Sequence, residues 1–296
     1  MLKNKIIFIL TLLFTALTLL HCKSQTSEKK DYSITKSENE KAVLILFPCF
    51  PCDKINTKSE AKFLDKIEDD GITTILLDYN QKLYLDEIEK QNLAKKLNAI
   101  LLENKITNSN VFIGGFSSGG NLSLLISNHL IKTQNHIQPK GIFLVDPPLD
   151  LEEVYNSAKK DIQLNKNTEA VEEGKFLVNL LEQNLGNPQT NIKKYKIASP
   201  YLISQNSINN IDHLQNIKVR FYSEPDLKWQ SENKDRKYED LNAHKVEKTW
   251  EAIKNLGNTK ADFIKTENLG IRANGQRHPH SWSIVQKQEL LKWIFE

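Results

Sequence analysis

Blocks of five or six consecutive apolar or β-branched residues recur along this chain, and most are followed by a stretch in which apolar residues return every three or four positions. Ala42-Val43-Leu44-Ile45-Leu46-Phe47, closed by Pro48, has the pattern of a strand buried on both faces. Similar blocks at 72–77, 110–114, 141–145, 217–222 and 261–265 predict further strands. Helical spacing is expected over 60–69 (Phe63, Leu64, Ile67) and 85–104 (Ile88, Leu93, Leu97, Ile100, Leu101). It returns after Gly120 (Leu122, Leu125, Ile126, His129, Leu130), over 243–256 and over 284–295. Strands alternating with helices predict an α/β chain with a mostly parallel sheet covered on both faces.

One stretch breaks the alternation. From 151 to about 197 only helical periodicity is present, with Phe176, Leu177, Leu180 and Leu181 ending at Gly186-Asn187-Pro188. A helical insertion at this point is expected to cap the carboxyl ends of the strands, where open α/β sheets bind ligands. There is no internal repeat.

The first residues read as something other than fold. Lys3 and Lys5 precede an apolar and threonine run from Ile6 to Leu20, too short for a comfortable bilayer span and suited to the core of a secretory signal. The run ends at Leu19-Leu20-His21-Cys22, similar to a bacterial lipoprotein signal in which Cys22 would carry the lipid. The departure is His21, where a small residue is usual; ordinary cleavage after Ser24 is the alternative. Expected organisation is a signal over 1–21, a polar tether over 22–40 and one domain over 41–296. Export to the cell envelope, with a membrane partner through the lipid anchor, follows from that reading. Without residues 1–21 the side-chain charge falls from +3 to +1, which argues against a polybasic membrane patch. No lysine or arginine cluster is interleaved with aromatics, so nucleic acid is excluded as a partner.

The densest local signal is Gly114-Gly115-Phe116-Ser117-Ser118-Gly119-Gly120, which joins a predicted strand to a predicted helix. Gly115-Phe116-Ser117-Ser118-Gly119 fits G-x-S-x-G with Ser117 in the middle. Such an elbow lifts its serine to the apex of a strained turn, and bare glycines two positions away let strand and helix pass closely. Ser118 would matter through its backbone N–H, directed at a developing oxyanion.

With these residues the chain resembles the α/β-hydrolase fold, on its esterase and lipase side, over about residues 42–296. The resemblance also rests on Asp146-Pro147-Pro148-Leu149-Asp150-Leu151, Ser199-Pro200-Tyr201 and His280-Ser281-Trp282. It implies a catalytic acid after the strand that follows the cap, Asp226 with Glu224 as alternate. It implies a histidine before the last helix, His280 with His278 as alternate. Asp146 and Asp150, after an earlier strand, are expected to be structural, for instance as caps of the first inserted helix. Chain order Ser117, Asp226, His280 is the order of this fold.

Where the family often has a glycine-rich run after its first buried strand, this sequence has Pro48-Cys49-Phe50-Pro51-Cys52. Proline has no N–H to give, so the second oxyanion donor would be Cys49, or else Phe50. Cys49 and Cys52 also match C-x-x-C, read as a local disulfide or as small residues shaping a pocket edge, with a redox motif as a further alternative. Hydrolysis of an ester through an acyl-enzyme is the expected activity, without metal or organic cofactor. A peptidase on the same triad and a non-catalytic binding lipoprotein are the competing readings, with a small ester or peptide as ligand.

Overall fold

The computed structural model describes residues 26–79 and 82–296. The proposed signal and Cys22 lie outside the described residues.

Eight strands form one sheet: β1 (Thr26–Glu28), β2 (Tyr32–Thr35), β3 (Ala42–Phe47), β4 (Ile72–Leu77), β5 (Val111–Phe116), β6 (Gly141–Val145), β7 (Lys218–Ser223) and β8 (Ala261–Lys265). Their order is β1-β2-β4-β3-β5-β6-β7-β8. The pairs from β4 to β8 are all parallel, and β1 and β2 add an antiparallel edge. Strands β3, β4, β5 and β6 are buried at every position, as their unbroken apolar runs require when helices cover both faces.

Nine α-helices are described: α1 (Lys54–Glu60), α2 (Glu87–Glu103), α3 (Ser118–Lys132), α4 (Leu151–Leu164), α5 (Thr168–Leu185), α6 (Pro188–Ala198), α7 (Leu227–Lys234), α8 (Asn242–Asn255) and α9 (Lys287–Phe295). One face of the sheet packs on α2 and α3 through Leu93, Leu97, Leu122 and Leu125. The other receives Trp282, Leu290 and Trp293 from the C-terminal region. Fully burying one such aliphatic or aromatic side chain stabilises the fold by about 1.5–3 kcal/mol.

Helices α4, α5 and α6 fill the stretch that broke the alternation, and Asp150 caps α4 by accepting from the N–H groups of Glu152 and Glu153. These helices share an apolar cluster with Leu83 and with Phe50 from the segment after β3. Phe50 stacks on Phe176 of α5 at 5.2 Å between ring centroids. The insertion thus lies over the carboxyl end of β3.

Three expectations are corrected. The tether expected over 22–40 already belongs to the sheet from residue 26: Tyr32, Ser33 and Ile34 are buried, and β2 pairs with β4. Tyr-Ser-Ile-Thr does alternate, but four residues within a polar segment give a weak period. The helix expected over 60–69 is instead α1, ending at Glu60, followed by 3-10 turns at Lys62–Leu64 and Ile67–Asp70. Asp53 caps α1 by accepting from Asn56 N–H, and Lys66 in the left-handed region interrupts what would have been the helix. Ile88 is 69% exposed rather than on the apolar stripe of α2. It stands five residues before Leu93, about 140° round the helix from it.

Candidate active site

The parallel register assembles the site. Phe116 of β5 pairs with Val145 of β6, which pairs with Tyr222 of β7. The next residues, Ser117, Asp146 and Ser223, therefore leave the sheet side by side at its carboxyl edge. Backbone bonds continue across this row: Ser117 N–H donates to the Val145 carbonyl and Asp146 N–H to the Tyr222 carbonyl, both at 2.8 Å.

Ser117 adopts φ 54°, ψ −126° between β5 and α3. A side-chain-bearing residue at such positive φ is uncommon and costs on the order of 1–3 kcal/mol. Two glycines make the turn possible through close approach. A Cβ on Gly115 would stand 2.1 Å from the Gly119 carbonyl oxygen, and one on Gly119 would stand 2.4 Å from the carbonyl oxygens of Phe47 and Pro48. The second contact brings the amino end of α3 against the segment that follows β3. Among the described residues, no carbonyl outside that helix accepts the N–H of Ser118 in its first turn.

His280 lies beside this row. Its Nδ1 is 2.6 Å from Asp146 Oδ2, and its ring packs 4.5 Å from the ring of Phe116, the residue before Ser117. Asp146 also has positive φ, 47°, and its other carboxylate oxygen accepts from Ser223 Oγ at 2.8 Å. Asn242 Nδ2 donates to the Asp146 carbonyl at 3.0 Å. Non-glycine residues held in this region cluster at functional sites. Since a carboxylate can only accept, the proton of this bond is on Nδ1, and in the neutral imidazole Nε2 is then the accepting nitrogen.

The expected acids are elsewhere. Asp226 caps α7, accepting from Trp229 N–H at 3.1 Å, and its second oxygen is held by Arg277. Glu224 is fully buried and turned toward the backbone of Leu269 and Gly270. The residue that reaches His280 is Asp146, for which a structural role was expected. The available signal was a carboxylate directly after a fully apolar strand, next to the strand that carries the elbow.

His278 does not reach Asp146: its Nδ1 lies 3.0 Å from the His280 carbonyl oxygen, its ring packs edge-on against Trp229, and it stands tilted to the His280 ring with centroids 6.3 Å apart. Burial, helped by the positive charges of Arg272, His280 and Lys234, pushes its pKa down from 6.5 to about 3. The folded state therefore refuses a proton that the unfolded chain takes up below pH 6.5. The resulting stability is fully present above pH 6.5 and is lost as pH falls toward 3. His278→Gln, which keeps a donor for the His280 carbonyl, is expected to shrink the drop in urea midpoint between pH 7 and pH 5.

Cys49 and Cys52 form a disulfide across a turn in which Cys52 N–H donates to the Cys49 carbonyl at 2.8 Å. Among the described residues, no backbone carbonyl accepts the N–H of Cys49 or of Phe50. Among the described residues, no group of three or more His, Cys, Asp or Glu side chains could hold a metal ion. A cavity of about 610 Å³, lined by Asn110, Lys140, Lys218 and Lys260 among others, opens at the amino ends of β5–β8, the wrong end of the sheet for this site.

A parallel sheet with a serine elbow after its central strand and a histidine–carboxylate pair at the same edge defines the α/β-hydrolase fold, and this chain has it. A family model described as alpha/beta hydrolase fold matches residues 84–204. Among solved structures, the chain is similar to carboxyl esterase 2 from the mycorrhizal fungus Tuber melanosporum, with 16% identity, a TM-score of 0.54, and 83% of this chain and 78% of the other covered. It is also similar to an esterase from Rhizomucor miehei, with 12% identity and TM-score 0.54 over 92% and 81% of the two chains. An esterase from the bacterial hormone-sensitive lipase family gives 14% identity and TM-score 0.53 over 95% and 86%. No curated protein matches the chain.

Proposed function

We propose that this protein is a serine hydrolase that cleaves carboxylic esters through an acyl-enzyme, with Ser117 as nucleophile, His280 as base then acid, and Asp146 as the carboxylate that orients His280. The observation that carries the proposal is the 2.6 Å contact of His280 Nδ1 with Asp146 Oδ2, one strand away from the strained Ser117.

The chemistry follows from the proton inventory. Nε2 of His280 takes the Ser117 hydroxyl proton as Oγ attacks the ester carbonyl, and the imidazolium that forms is stabilised by Asp146. The tetrahedral oxyanion is held by the N–H of Ser118 and by the N–H of Cys49, with Phe50 next to it. The proton then passes from Nε2 to the leaving alkoxide, the C–O bond breaks, and the acyl group stays on Oγ. Water, deprotonated by the same nitrogen, attacks the acyl carbon; the acid departs and Ser117 recovers its proton.

The disulfide fits an oxidising compartment and so supports the proposal that the chain is exported; anchoring through Cys22 is proposed from the sequence signal alone. The direct test uses p-nitrophenyl butyrate, a matched p-nitroanilide and a fluorophosphonate probe. Turnover of the ester with one label per chain on Ser117 is the expected result. Faster cleavage of the anilide would move the reading to a peptidase, and a folded protein that takes no label would overturn it.

A further inference from the structure

The loop carrying His280 has little regular structure of its own, a single antiparallel bridge between Ile271 and Arg277, yet the His280 ring must be held to within a fraction of an ångström. Glu224 stands beneath that loop, one residue after β7, with a fully buried side chain. Its Oε2 accepts from Thr266 Oγ1 at 3.0 Å, Leu269 N–H at 2.9 Å and Gly270 N–H at 3.1 Å. Its Oε1 meets an Nη of Arg277 at 2.5 Å. Arg277 returns to the same point, donating through Nη1 to the Gly270 carbonyl at 2.7 Å. His278 N–H donates to that carbonyl as well, at 2.8 Å. Ser283 closes the other side, accepting from Ile271 N–H and donating to the Leu269 carbonyl, both at 2.7 Å.

Gly270 is thus the knot of the loop, and Glu224 is the group tying it to the sheet. No side chain would fit there: a Cβ on Gly270 would lie 2.5 Å from the His278 carbonyl oxygen and 2.7 Å from Pro279 Cα. A buried carboxylate is costly unless its lone pairs are filled, and here every bond that fills them ends on the histidine loop. None reaches His280 itself.

We propose that Glu224 is a positioning residue for His280, a carboxylate that gathers Leu269, Gly270 and Arg277 so that the backbone presents the imidazole to Asp146. This rests on the serine-hydrolase reading for its kinetic consequence but not for its geometry. In Glu224→Gln the shape is kept, but whichever way the amide turns, its NH2 faces either Arg277 or the N–H groups of Leu269 and Gly270. A donor then opposes donors and the knot loosens.

The test counts active sites by fluorophosphonate titration and measures kcat per titrated site, well below the thermal midpoint. It also follows the downfield proton of the His280–Asp146 hydrogen bond by NMR. For Glu224→Gln, kcat per site is expected to fall about 10- to 100-fold with KM within about twofold, since small misplacement of a catalytic group costs this much. The downfield resonance is expected to broaden or move. Gly270→Ala, which displaces the same loop from the other side, is expected to do likewise. Should either variant fold too poorly to titrate, the other supplies the measurement. A parental kcat per site and an unmoved resonance, with only thermal stability lowered, would reduce Glu224 to a structural role and overturn the proposal. If the parent itself takes no label, the hydrolase reading falls, while the resonance still decides whether Glu224 positions His280.

Discussion

Ser117→Ala is expected to lower kcat toward p-nitrophenyl butyrate by about a million-fold, to the level left by binding and the oxyanion donors alone. His280→Ala should do about the same, and the double variant should be no worse than either single one. Nucleophile and base act as a unit, so once one is lost the other has nothing to transfer. Independent contributions would instead multiply. The Ser117 backbone adds a second expectation with the opposite sign. At φ 54°, ψ −126° a serine is strained and a glycine is not. Ser117→Gly should therefore abolish turnover while stabilising the fold by about 1 kcal/mol, read as a higher urea midpoint with an unchanged slope. An inactive variant that is more stable than the parent would mean that the strain serves the chemistry. If Ser117→Ala retained parental turnover, the elbow would not carry the nucleophile.

Most of the sheet was legible because its strands are buried on both faces and so read as unbroken apolar runs, and the elbow because its glycines answer to local packing. The features missed depend on contacts between distant segments. Nothing in Tyr222-Ser223-Glu224-Pro225-Asp226 reveals that Arg277, some fifty residues on, engages both carboxylates. Nothing near Asp146 reveals that register sets it beside Ser117, since that alignment is fixed by β5, β6 and β7 together. The reading of Asp150 as a helix cap needed only the residues that follow it, and the structure has that cap. The segment 60–69 failed for another reason. Phe63, Leu64 and Ile67 have spacing that a helix and a pair of 3-10 turns bury equally well, so periodicity alone could not choose.

Asp146→Asn is expected to lower kcat by about a thousand- to ten-thousand-fold, whereas Asp226→Asn should stay within about threefold of the parent. The size of the first effect follows from which atom faces which. Ser223 Oγ donates to Asp146 Oδ1, and an asparagine at 146 that keeps this bond holds its carbonyl oxygen on that side and turns its NH2 toward His280 Nδ1. Nδ1 must then accept, the imidazole proton moves to Nε2, and the nitrogen that should take the serine proton is already occupied. Removing the constraint should recover part of the loss. In Asp146→Asn with Ser223→Ala the amide is free to turn its oxygen to Nδ1, and kcat should rise above that of the single variant. Asparagine at 226, by contrast, still accepts from Trp229 N–H, and Arg277 still has Glu224 and the Gly270 carbonyl. If turnover instead vanished in Asp226→Asn and survived in Asp146→Asn, the working acid would lie on the β7 side, and the contact between Asp146 and His280 would have no catalytic meaning.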